Sequence, residues 1–289
     1  MYMDSALKLR ILSDEGKLPR DSEILDLLNS SQLVADLTAD FVEKPLYSVW
    51  RIIALSEIPY AKKLQYTQQV IQYIERNLAT PMGFSLTGKE ADLLPCYNAM
   101  LLEAFSNLGH HQSGTAQNAL AWIKKFQPFE RNMPITWTGK AIHKYGGCMK
   151  ATPCFIGLAK SVKALVSYSK AIHHEDKEVE ALIDKGMEYL LKHELYKRLS
   201  TADPINKHIL DLAFPASYQL NIVELLELAF LTGHINDNRC SSSLDYVRNK
   251  RTKNGTWKTN YIYKADGYLS FDKRGAKGDW ITYLLGRYI

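Results

Sequence analysis

No uninterrupted apolar run in this chain approaches the length of a membrane span, which excludes a transmembrane helix of the usual kind. Cysteine is scarce, four in 289 residues, far too few for a disulfide-stapled secreted scaffold. The opening "MYMDSALKLRILSDEGKL" has early acids and no apolar core, so no signal peptide is expected there. Together these absences lead to the expectation of a cytoplasmic protein with reduced thiols. The excess of positive charge is mild. The net +5 comes from 36 Lys and Arg scattered among 31 Asp and Glu, with no basic stripe interleaved with aromatics, so nucleic acid is not implied as a partner. There is no phosphate-cradling P-loop and no Gly-x-Ser-x-Gly nucleophile elbow. What is present is core-forming material. With 46% apolar and 11% aromatic residues, the chain can bury a sizeable interior and should be globular.

That apolar content is periodic. Four prolines open similar segments: "PLYSVWRIIAL" from Pro45, "PCYNAMLLEAF" from Pro95, "PCFIGLAKSVKAL" from Pro153 and "PASYQLNIVELL" from Pro215. A proline-free fifth copy, "KGDWITYLLGRYI", begins at Lys277. Proline costs nothing at the first helical position, where its missing N–H has no partner to lose. Each segment therefore reads as a helix start followed by a mostly apolar helix. Behind the first four lies a second, amphipathic helix with an aromatic at a matching place: Tyr73, Trp122, Tyr189 and Tyr246. Apolar helices buried all round, alternating with helices wet on one face, make a helix-hairpin array. The repeats are long and uneven, and the last helix is still apolar at its end. The fold expected is all-α, a closed α/α toroid of about five inner–outer helix pairs, ten to twelve helices in all. Residues 1–289 form one domain, with 1–40 as a helical lead-in.

The stretch after the fourth outer helix is more specific. Tyr246-Val247, then Arg251, then Gly255-x-Trp257, with three residues in each gap, resembles the repeat signature of squalene–hopene cyclases and protein prenyltransferase β subunits. Arg251 stands where that signature has glutamine. A second copy, Trp122-Ile123-x3-Gln127, keeps the glutamine but has Arg131 and Met133 in place of the Gly-x-Trp. The C-terminal half is also similar to a poorly characterised prokaryotic branch of the same toroid group. The resemblance implies a central cavity that binds or transforms an isoprenoid or other apolar small molecule, with Trp257 tying one repeat to the next. It does not carry over the usual chemistry. No two aspartates are adjacent, so the cyclase acid motif is absent, and no Asp-x-Cys exists to hold the prenyltransferase zinc. A non-catalytic ring presenting a groove to a peptide or partner protein is the alternative.

Two groups of candidate residues follow. Cys96 and Cys154 each directly follow a helix-start proline, so they should share one end of adjacent inner helices. Cys148 and His143 precede Cys154 in the same loop. Three thiols and an imidazole can close a tetrahedral zinc site, and thiols at helix starts tend toward thiolate. The same cysteines can equally be small buried hydrophobes, or reactive thiols. The second group comprises polar residues on apolar helices, which need a partner or a ligand: Asn98, Glu103, Lys160, Asn221, Glu224 and Asp279. With Tyr97, Tyr218 and Trp280, the residues Asn98, Asn221 and Asp279 can line an aromatic cavity with a few polar points, or simply hydrogen-bond between helices. His110-His111 and His173-His174 fall in predicted turns.

Overall fold

The computed structural model describes residues 3–139, 151–172 and 174–289. Among them the chain is all-α: twelve α-helices, short 3-10 turns and a single two-stranded ribbon, β1 (Ala79–Thr80) against β2 (Gly83–Phe84). No helix is long and apolar enough to cross a membrane. Three short helices come first: α1 (Ser5–Asp14), α2 (Asp21–Asn29) and α3 (Gln32–Thr38). Asp4 caps α1 by accepting from Ala6 N at 2.8 Å, and also accepts from the Ser31 hydroxyl at 2.6 Å, which fastens the lead-in to itself.

Hairpins follow. The pairs are α4 (Pro45–Ser56) with α5 (Gln65–Asn77), α6 (Pro95–Asn107) with α7 (Gly114–Phe126), α8 (Phe155–Ala171) with α9 (Lys177–Lys192), and α10 (Ile222–Leu231) with α11 (Ser241–Asn249). The chain ends on α12 (Asp279–Gly286). The first member of each pair is buried on nearly every side, while the second exposes one face. The first members are also neighbours in order, α4 on α6, α6 on α8, α8 on α10 and α10 on α12. The second members bury the matched aromatics Tyr73, Trp122 and Tyr189, whereas Tyr246 is half-buried.

Proline acts as expected in two of four places. Pro45 and Pro95 occupy the first positions of α4 and α6. Pro153 does not: α8 begins at Phe155, with Cys154 as its N-cap residue. Pro215 lies further out still, because Asn221 wins the N-cap position of α10 by accepting from Val223 N at 3.0 Å and Glu224 N at 3.1 Å. A side chain that satisfies two orphan amides outweighs a proline that merely tolerates them.

The Gly-x-Trp turn is structural. Trp257 is buried and donates Nε1–H to Val247 O at 2.8 Å, closing α11 onto its own exit loop. Its backbone receives Gly278 N and donates to the Thr282 hydroxyl, which ties that loop to α12. Gly255 takes φ +76°, so its carbonyl can receive Arg251 Nε at 3.0 Å. The Arg251 guanidinium then lies 5.1 Å from the Trp257 ring centroid, a cation–π contact made by the residue that departs from the signature.

Candidate functional site

The buried first helices of the pairs, termed inner helices below, carry charges in an otherwise apolar setting. On α8 these are Lys160, Lys163 and Lys170, spaced to fall along one stripe. Helix α10 offers Glu224 and Glu227, α6 offers Glu103, and Glu57 caps the end of α4. Helix α1 contributes Arg10 and Asp14. Lys160 is fully buried and contacts both oxygens of Glu224, at 2.5 and 2.7 Å. One turn further along α8, Lys163 Nζ lies 2.9 Å from Glu103 and 3.4 Å from Glu57. The second oxygen of Glu57 receives Arg10 Nη1 at 3.2 Å, and Arg10 Nη2 reaches Glu227 at 3.1 Å. Arg10 Nε meets Asp14 at 3.0 Å, and Asp14 in turn takes Arg287 at 3.2 Å and the Tyr283 hydroxyl at 2.9 Å.

This chain of contacts opens into a cavity of about 300 Å³ walled by α1, α6, α8, α10 and the ends of α4 and α12. Its lining includes Arg10, Asp14, Glu57, Glu103, Lys163, Lys170, Glu227 and Arg287. Burying such groups is expensive, and stability alone is a weak reason for it, since well-packed apolar residues often do as well. The deepest part of the network holds four carboxylates (Glu57, Glu103, Glu224, Glu227) against three cations (Arg10, Lys160, Lys163). The excess negative charge shows in Glu103. Burial drives its carboxyl up to about 7; Lys163 pulls it back while Glu57 and Glu224 add to the rise. Lys163 and Arg10 are also shifted up, which for a cation means that the charge is kept. Burial alone would discharge Lys163, but Glu103, Glu57, Glu224 and Glu227 outweigh it and hold its proton more tightly than usual. Arg10 is likewise held charged by Glu227, Glu57 and Asp14 against its burial. Held up to about 7, Glu103 can exchange a proton near neutrality.

At the other end of the inner helices the chemistry is aromatic. Trp50 is buried with Tyr97, Tyr263 and Tyr268 rings at 5.9, 5.2 and 6.2 Å, and Tyr97 stacks on Tyr218 at 6.0 Å. The Trp50 Nε1–H has no hydrogen-bond partner among the described residues. Cys96 and Leu94 pack here against Tyr97, Ile156 and Tyr218. Cys154 is close by. Pro95 and Cys154 both flank Gly157, and burial together with the nearby Cys154 pushes the Cys96 thiol up to about 12. The lowering expected at a helix start is thus reversed for Cys96, because desolvation outweighs the helix-end field. The other two zinc candidates, His143 and Cys148, lie outside the described residues, as does His173. Among the described residues no three His, Cys, Asp or Glu side chains are arranged to hold a metal. Cys240 sits elsewhere, buried beside His234 O.

The remaining sequence candidates scatter. Asn98 is fully buried, accepts from Phe84 N at 2.8 Å and donates to Ala119 O at 3.4 Å, so it joins α6 to the ribbon and to α7. Asn221 caps α10 and donates to Ala213 O at 3.2 Å. Asp279 pairs with Lys277 at 2.8 Å near the surface. Trp280 stacks on Phe214 at 5.7 Å and meets Phe271 edge-on at 4.8 Å. Of the polar residues singled out on inner helices, Glu103, Lys160 and Glu224 belong to the charged network. Arg10, Glu57, Lys163 and Glu227 escaped sequence reasoning. The signal available was the i, i+3 repetition of Lys160–Lys163 and Glu224–Glu227 on helices otherwise apolar.

No protein family, curated protein or solved structure was found to match this chain.

Proposed function

We propose that this chain is a toroid-like helical protein that binds a small polar molecule, carrying charge of both signs, in the cavity between its inner helices. The observation that carries the reading is the cavity itself: eight charged side chains from several helices converge on about 300 Å³, and one of them, Glu103, is poised near neutral pH. Such a ligand replaces the ion pairs it displaces, whereas an isoprenoid would strand them. Ring closure has separate support. Asp14 at the end of the first helix binds Arg287 and Tyr283 at the last, while Arg10 links Glu57 at the end of α4 to Glu227 within α10. The toroid resemblance read from the repeats fits that arrangement.

A second reading keeps the isoprenoid-like ligand and places it at the aromatic end, where Trp50, Tyr97, Tyr218, Tyr263 and Tyr268 meet. Thermal-shift titration separates the two, using ω-amino acids, diamines, dicarboxylates and farnesol as probes. Saturable stabilisation by ω-amino acids that disappears in Glu103→Gln supports the charged cavity. Stabilisation by farnesol alone, unaffected by Glu103→Gln, transfers the function to the aromatic end. No saturable probe at all rejects both.

A further inference from the structure

A second cavity, of about 380 Å³, lies away from the charged one, where the start of α8 meets the end of α9 and the loop that follows. Phe155, Tyr189 and Ile205 give it an apolar floor, and Arg131 and Arg198 stand in its wall. No Asp or Glu is among its described lining residues. It differs in this from the cavity between the inner helices, where every cation has an acidic neighbour or faces one.

The loop is built to hold its groups in place. Arg198 donates Nε–H to Pro204 O at 3.3 Å and Nη2–H to Ile205 O at 2.9 Å, and Lys197 bridges to Pro204. The remaining guanidinium nitrogen of Arg198 is not used by these two bonds. His193 is only 6% exposed, and its Nδ1 lies 2.7 Å from Lys197 O. A carbonyl oxygen only accepts, so Nδ1 carries the proton and Nε2 is left with a lone pair. That nitrogen is buried and has no partner among the described residues, and its ring lies 5.0 Å from Tyr189 and 5.3 Å from Phe155. A buried acceptor left without a donor is costly, which makes it a mark of something bound there.

We propose that this pocket binds a small aromatic organic anion bearing a hydroxyl or N–H group. The ring lies on Phe155, Tyr189 and Ile205, the anionic group faces Arg131 and Arg198, and the hydroxyl or N–H donates to His193 Nε2. Burial, reinforced by the charge of Arg131, lowers the His193 pKa and keeps the imidazole neutral, as an acceptor must be. The anionic group is a carboxylate or a phosphate ester, since both suit arginine forks.

Ligand-observed NMR and calorimetry on the full chain test this with 4-hydroxybenzoate, benzoate, phenyl phosphate, inorganic phosphate and the neutral 4-hydroxybenzamide. The result expected is saturable binding of the aromatic anions, with 4-hydroxybenzoate tighter than benzoate and 4-hydroxybenzamide about tenfold weaker or more. The ratio of phenyl phosphate to benzoate identifies the preferred head group. Arg131→Gln, at an exposed position, should weaken 4-hydroxybenzoate about tenfold, and His193→Phe should abolish its advantage over benzoate. Arg198→Gln serves as a second charge variant. Glu103→Gln, in the other cavity, should leave all of these affinities unchanged. Equal binding of 4-hydroxybenzamide and 4-hydroxybenzoate, no effect of either arginine substitution, or no saturable binding of any aromatic anion would overturn the proposal.

Discussion

Lys160→Met tests how the interior ion pair is held. Methionine keeps most of the lysine's length and apolar surface but removes the ammonium. Glu224 then loses both of its 2.5 and 2.7 Å contacts while its side chain remains 5% exposed, too buried for water to replace them. Removing one partner of a buried pair costs about 3–5 kcal/mol, since the other charge is left uncompensated. With an unfolding entropy of roughly 2.1 cal/mol/K per residue, a 289-residue chain has about 0.6 kcal/mol/K, so Tm should fall by about 5–8 °C. The double variant Lys160→Met/Glu224→Leu removes the stranded charge as well. It should recover most of the loss, because replacing a buried pair by apolar groups is often neutral or favourable. Scanning calorimetry and urea unfolding followed by far-UV circular dichroism, applied to the parent, Lys160→Met, Glu224→Leu and the double variant, give the four corners of the cycle. A single variant within about 1 kcal/mol of the parent would show that Lys160 is not needed to compensate Glu224. A double variant no better than the single would show that the damage is one of packing, not of charge.

Trp257→Ala should destabilise the fold by about 3–5 kcal/mol through loss of a buried ring and its Nε1 hydrogen bond, with Tm as the readout; unchanged melting would refute the structural role of the Gly-x-Trp turn. Glu103 holds its proton to higher pH in the folded chain than in the unfolded one, so its contribution to stability is full below pH 4.5 and is lost as pH rises toward about 7. Glu103→Gln should therefore flatten the urea-midpoint profile across that window, and an unchanged slope would contradict the assignment. Cys96, pushed up to about 12 by burial, should resist iodoacetamide in the native protein at neutral pH and react only on unfolding, as read by peptide mass spectrometry.

Much of the fold was legible in the chain itself. A helix buried on all sides needs an apolar sequence, and a helix wet on one side needs an alternating one, so the pairing of apolar with amphipathic helices is written in the sequence. Helix starts were less legible where two signals competed. Pro215 is a good first residue for a helix, but Asn221 satisfies two amides and sets the boundary six residues later. The turn at Trp257 was readable through its resemblance to a known repeat signature, but the partners it ties together, Val247 and Thr282, were not.

The chemistry of the interior was decided elsewhere. Sequence marked Glu103, Lys160 and Glu224 as polar residues in apolar helices, and a buried charge must find a partner. It did not say which partner. Arg10 lies 47 residues from Glu57 and 217 from Glu227, and no local pattern links them. Only the tertiary placement of α1 beside Glu57, at the end of α4, and Glu227, within α10, brings them within hydrogen-bonding reach. The same holds for Cys96, whose place at a helix start promised a lowered thiol pKa until the neighbouring helices removed its water. It holds for His193 too, the residue capping the end of an amphipathic helix, which the loop after it turned into a buried acceptor. Periodicity is a local property and survives in the sequence. Desolvation and charge pairing depend on what the rest of the chain brings alongside, and those were settled by tertiary structure alone.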